Sequence, residues 1–181
     1  LSVGNFANPI RPSDDATKPY PGVVIAVGDD PWSISTSTPA DSRFLFQHLH
    51  IPFLEPATPQ ELKDWMKVAL EVSQKTGVYQ GIILTTFMAE GGGRVVLGEE
   101  KKIDHMPVKL DPGTFDLSEN VMVPPNSMKA DKKMIEGRFP KVLEVLEELA
   151  LDRVLGNQQS RKALIASGAV FETLKEVLEN F

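Results

Sequence analysis

Apolar residues along the chain alternate between short continuous runs and helix-spaced stripes, and that alternation predicts an α/β fold. Gly22 to Val27, GVVIAV, is a β-branched run followed at once by Gly28-Asp29-Asp30-Pro31, the pattern of a strand buried on both faces and ended by a tight loop. Asp41 is placed to cap a short helix reaching about Leu49, with Phe44, Leu45, His48 and Leu49 spaced for one face. Ile51 to Leu54 then reads as a second strand.

Thr58-Pro59-Gln60-Glu61 opens a longer helix. Threonine can cap, proline needs no donor at the first position, and Glu61 can complete a capping box. Leu62, Trp65, Met66, Ala69 and Leu70 follow at helical spacing as a core face, and Gly77 can end the helix by accepting positive φ. Gly81 to Phe87, GIILTTF, supplies a third strand. Strand, helix, strand with doubly apolar strands implies a mostly parallel sheet carrying helices on both faces.

From about Glu90 the pattern breaks. Gly91-Gly92-Gly93 and the charged stretch through Asp104 read as an exposed hairpin or linker, which makes 1–90 one unit and 91–160 a linker with a helical connector. In the connector, Val121 to Pro125 is extended, and Met128 to Leu149 is helix interrupted by Gly137 and Pro140, with the proline restarting it. Val142, Leu143, Leu146 and Leu149 form its core stripe. Ala163 to Ala166 as strand, Ser167-Gly168 as turn and Val170 to Leu178 as helix make 161–181 resemble the opening of a further α/β domain.

Charge and composition narrow the function. A formal net charge of -6 argues against nucleic acid, which needs clustered Lys and Arg to displace counterions. With no cysteine, the chain can supply neither a thiol nucleophile nor ligands for an iron–sulfur cluster. No apolar run reaches the roughly 18 residues of a membrane span, and the start lacks the order of a secretory signal, so a cytoplasmic protein without membrane contact is expected.

The loop from Gly28 to Thr38 lies at the carboxyl end of a parallel strand, where open α/β sheets place ligands. Asp29 and Asp30 there can orient a polar group, hold a water or bind a metal, or they can cap the turn. The hydroxyl run Ser33 to Thr38 can bind phosphate or satisfy loop backbone. Gly91-Gly92-Gly93-Arg94 lacks phosphate-loop spacing, His48, His50 and His105 form no zinc motif, and no nucleophile-elbow serine is present.

Taken together, GVVIAVGDDP, Asp41-Ser42-Arg43, IPFLEPATPQELKDWMKVALEVSQKTG and IILTT resemble the end of the pyrimidine-binding domain in the large subunit of indolepyruvate-type 2-oxoacid:ferredoxin oxidoreductases. ENVMVPPNSMKADKKMIEGRFPKVLEVLEE resembles the connector that follows in that family, KALIASGAVFETLKEVLENF the start of its next domain, and VGNFANPI the segment before the Asp-Asp-Pro strand. The resemblance implies an internal portion of an enzyme that decarboxylates arylpyruvates on thiamine diphosphate with magnesium, forms the acyl-coenzyme A product and passes electrons through iron–sulfur clusters to ferredoxin.

On that reading Asp29, Asp30, Trp32 and Ser35 line a cofactor-facing loop, and the activating glutamate and the cluster cysteines lie outside the chain, leaving it incomplete for catalysis alone. A small subunit of the oxidoreductase, or self-association, is the expected partner. Where the family carries a His-Ser-Ser-Gln-Asn-Glu-Gln-like loop after Asp-Asp-Pro, this sequence has Ile34 to Ala40, and where the family has Thr-Thr-Arg it has Thr85-Thr86-Phe87. Those departures fit a divergent paralogue, and the alternative is a non-catalytic assembly or docking module.

Overall fold

A computed structural model describes residues 1–7, 20–99 and 121–180 of the chain. Three parallel strands, β1 (Val24–Asp29), β2 (Phe53–Leu54) and β3 (Gln80–Thr85), form one sheet in the order β1-β3-β2. The chain leaves β1, passes through helix α2 (Arg43–His48) to the far edge at β2, and returns through α3 (Pro59–Thr76) to the centre at β3. Since the two sideways steps run in opposite directions, crossovers of one hand must place their helices on opposite faces. The packing agrees: Ile83 of β3 clusters with Phe46 of α2, whereas Val72 of α3 clusters with Val78 and the later helices on the other face. The sequence expectation of a parallel sheet covered on both sides therefore holds.

Helix α3 begins as its sequence dictates. Thr58 Oγ1 accepts from the Glu61 amide at 3.2 Å, and the Glu61 carboxylate accepts from the Ala57 amide at 2.7 Å, so two amides at the helix start are satisfied by side chains. At the other end Gly77 takes φ 69°, a conformation glycine enters without a Cβ penalty. The buried face is rotated from the expected stripe. Ala69, Val72, Ser73 and Thr76 are buried, while Met66 is exposed.

Similar rotations occur elsewhere. In α2 the buried residue is Phe46, and Phe44 and Leu45 point to solvent; the helix is less than two turns long, too short for periodicity to fix its face. Its cap position is Ser42 rather than Asp41, whose carboxylate accepts from the Arg43 amide.

Strand β3 stops at Thr85 rather than Phe87, because a short helix, α4 (Thr86–Glu90), starts there. Residues 91–99 carry no regular structure, and the rest of the expected hairpin or linker, 100–104, lies outside the described residues. Residues 121–125 form bends and turns rather than an extended segment.

The connector is one long helical rod. α5 (Asn126–Lys133) passes through a π-helical turn, Met134–Arg138, into α6 (Phe139–Leu149), so Gly137 sits in the wide turn and Pro140 in the first turn of α6. The π turn drives Met134 into the core and directs Arg138 back across the molecule. Its guanidinium donates to the carbonyls of Asn5, Phe6 and Gly77 at 2.9–3.0 Å, joining α1 (Ser2–Ala7), the end of α3 and the connector. On α6 the buried positions are Val142 and Val145, and Leu143 is exposed.

Residues 163–166 form no strand. With Ile165 fully exposed and no neighbouring strand among the described residues to complete a ladder, the segment stays irregular before α7 (Gly168–Asn180).

Candidate functional site

The carboxyl ends of β1 and β3 are adjacent, and between them lies a shallow recess of about 190 Å³. Gly28 and Asp29 of β1, Asp30 after it, Ser35 and Thr36 of the following loop, and Thr86 and Glu90 of α4 line it. Loop and α4 meet where Ser35 Oγ donates to Glu90 Oε1 at 3.1 Å.

Of the four residues expected from sequence, three come together here. Asp29, Asp30 and Ser35 are at the recess; Trp32 stands beside it, half exposed, in an edge-to-face contact with Phe87 of α4 at 5.5 Å between ring centres. Thr36 comes from the hydroxyl run and Thr86 from the Thr85-Thr86-Phe87 segment named in the sequence, whereas Glu90 had no assigned role there. The available signal was β3: once it is the neighbour of β1, the residues after Thr85 share the loop's end of the sheet.

Both aspartates are buried and committed. Asp30 accepts the amides of Ile34, Ser35 and Thr36 at 3.0, 2.7 and 2.8 Å and the Thr36 hydroxyl at 3.0 Å. Burial works to raise this carboxyl, but the hydrogen bonds outweigh it and hold Asp30 well below the usual carboxylate range. Asp29 accepts the amide and the hydroxyl of Ser42, one on each oxygen, both at 2.7 Å, and so fixes the entry to α2. An antiparallel bridge between Asp30 and Ala40 closes the loop's base.

Glu90 is the third carboxylate at the recess. Among the described residues no Lys, Arg or His lines it, and Gly28, Ala40, Leu84 and Ala89 give it walls of small or apolar groups. Among the described residues no group of three or more His, Cys, Asp and Glu is placed to hold a metal ion, and no helix is long and apolar enough to cross a membrane.

Behind the site, Arg43 and Glu55 pair through two hydrogen bonds, of 3.1 and 2.7 Å, and Glu55 also accepts from Ser167 at 3.2 Å. This pair ties α2 to the segment after β2 and to the start of α7. It is a structural clamp away from the recess.

Neither a family model nor a solved structure matches the chain. Curated relatives do. The indolepyruvate oxidoreductase subunit IorA of Thermococcus kodakarensis is 30% identical over 158 residues, that of Pyrococcus abyssi 30% over 163 and that of Methanothermobacter marburgensis 29% over 160. Each match covers 87% of this chain and 24–25% of the relative, so the chain spans about a quarter of the length of the curated relatives it matches. By its sequence the chain is a relative of the indolepyruvate oxidoreductase subunit IorA.

Proposed function

We propose that the chain is a portion of a 2-oxoacid oxidoreductase subunit, of the arylpyruvate-oxidising, thiamine-diphosphate-dependent kind, and that it is incomplete for catalysis alone. The observation that carries this reading is similarity over 87% of the chain to subunits named for indolepyruvate oxidation. The recess at the carboxyl ends of β1 and β3 is the place where such a subunit presents residues to a ligand.

The recess fits one end of thiamine diphosphate and not the other. Its small apolar walls, with Glu90 and Ser35 at the rim, suit an uncharged ring that donates hydrogen bonds. A diphosphate with magnesium needs cationic or metal-ligating groups, and the residues here supply three carboxylates, two of them already committed. The chain's contribution is therefore positional: Asp30 fixes the loop, Asp29 fixes the entry to α2, and Ser35 and Glu90 set the rim. Iron–sulfur clusters, ferredoxin and a small subunit belong to the whole enzyme on this reading.

A second reading, an assembly module without catalysis, is favoured by the same commitment of Asp29 and Asp30 to loop backbone. One exchange separates the two. With this chain substituted for the matching quarter of the Thermococcus kodakarensis subunit, the catalytic reading expects indolepyruvate oxidation at a measurable fraction of the parent rate. An assembled but inactive chimera supports the module instead.

A further inference from the structure

The loop at the recess is tied down at its far end by a chain of contacts that leads to α7. It leaves β1 at Asp29 and rejoins regular structure at Arg43, the first residue of α2. Asp29 accepts the Ser42 amide and hydroxyl, and the Asp30–Ala40 bridge draws the same two ends together. One residue beyond Ser42, the Arg43 guanidinium holds Asp41 at 2.9 Å and also grips both oxygens of Glu55. Arg43 therefore pins the loop's last turn to the segment after β2.

Glu55 serves a second partner with the same oxygen. Its Oε2 accepts from Arg43 Nε at 3.1 Å and from Ser167 Oγ at 3.2 Å, so one carboxylate oxygen is shared between the end of the recess loop and the residue before α7. Gly168 then passes so close that Cδ and Cγ of Glu55 lie 2.7 Å from where its Cβ would stand. The start of α7 thus bears on the carboxylate that orients Arg43. From the recess outward the contacts are continuous, through Asp29, Ser42, Arg43, Glu55 and Ser167.

We propose that Glu55 is a positioning residue for the recess, coupling the seating of α7 to the loop between Asp29 and Arg43. With α7 seated, Ser167 and Gly168 hold the Glu55 carboxylate in the one orientation that meets both guanidinium hydrogen bonds. With the start of α7 lifted, the carboxylate turns, Arg43 loses its two-point hold, and Ser42 slackens against Asp29. The arrangements are discrete, because a planar fork is either matched or lost. Coupling of this kind is reciprocal, so whatever steadies the loop at the recess also steadies the start of α7. It holds whichever ligand the recess takes, and its failure would leave the proposed function standing.

Residue-resolved amide exchange on the full chain tests the coupling, because it separates local loosening from global loss of stability. Gly168→Ala forces a Cβ against Glu55. It should speed exchange of the Ser42 amide, held by Asp29, and of the Ser35 and Thr36 amides, held by Asp30, by roughly tenfold or more, while the β1–β3 ladder keeps its protection. Should that variant fail to fold, Ser167→Ala decides: it removes only the shared hydrogen bond and should act in the same direction with a smaller effect. Ser167→Thr keeps the hydroxyl and should restore the parent rates. From the other end, Ser42→Ala should speed exchange in the second turn of α7. Faster exchange in α7 with the Ser42, Ser35 and Thr36 amides at their parent rates overturns the proposal. So does uniform acceleration that includes the β1–β3 ladder, which would reduce Glu55 to a contact that only stabilises the fold.

Discussion

Arg43 and Glu55 meet as a fork on a fork, with Nε 3.1 Å from one carboxylate oxygen and Nη2 2.7 Å from the other. The Glu55 side chain is only 7% exposed, so the pair is largely withdrawn from water. Removing Glu55 breaks both hydrogen bonds and leaves Arg43, among the described residues, only its ion pair with Asp41 at 2.9 Å, and removing Arg43 strands the buried Glu55 carboxylate. Glu55→Ala should cost about 2–4 kcal/mol in urea denaturation, and Arg43→Lys less, since an ammonium keeps the charge and loses the two-point geometry. Gly168 bears on the same clamp, because with φ +56° and Glu55 against it there is no room for a Cβ. Gly168→Ala should release the start of α7.

The loop at the recess depends on ionised Asp30. Its folded carboxyl lies below the ordinary value, so the stability it contributes is fully present above about pH 4 and is lost as pH falls from there toward the folded value. Between pH 5 and 8 the contribution is flat. The melting temperature of Asp30→Asn should lie below that of the unsubstituted chain at pH 7, and the gap should narrow below pH 4. A gap that stays constant into acid would mean that the carboxylate charge is irrelevant to the loop.

Gly81 of β3 lies against the Phe46 ring of α2. A Cβ there would lie 2.9 Å from the Phe46 ring and from Phe53 Cβ, and Phe46 itself is 2% exposed. Gly81→Ala should therefore destabilise by about 1–3 kcal/mol through overpacking, and Phe46→Ala by about 3–5 kcal/mol through the cavity it leaves. Thermal unfolding of both variants checks the order.

The elements that local chemistry specifies were legible in the sequence. Thr58-Pro59-Gln60-Glu61 and Gly77 fix both ends of α3 by hydrogen bonding and backbone freedom, and the β-branched runs at 24–27 and 82–84 are strands. What depends on neighbours was not legible. The faces of α2 and α6 are chosen by what packs against them, so Phe46 and Val145 are buried where Phe44, Leu45 and Leu143 were expected. Residues 163–166 have strand composition and, among the described residues, no strand to pair with.

The candidate site divides in the same way. Asp29, Asp30 and Ser35 follow a recognisable strand, whereas Glu90 is reached only through the pairing of β1 with β3, and the sequence reading placed a boundary there instead. Trp32 belongs to the predicted loop, yet its ring turns to Phe87 beside the recess.

The proposed role in a 2-oxoacid oxidoreductase is tested most directly by calorimetric titration with thiamine diphosphate and magnesium, first into the chain alone and then into the chain with a small subunit of an IorA-containing enzyme. Since the described residues of the recess can take a ring but offer no groups for a magnesium diphosphate, the chain alone should give no heat and should show saturable binding once the partner is present. Absence of binding in both titrations, with the two proteins shown to associate, would contradict the proposed role.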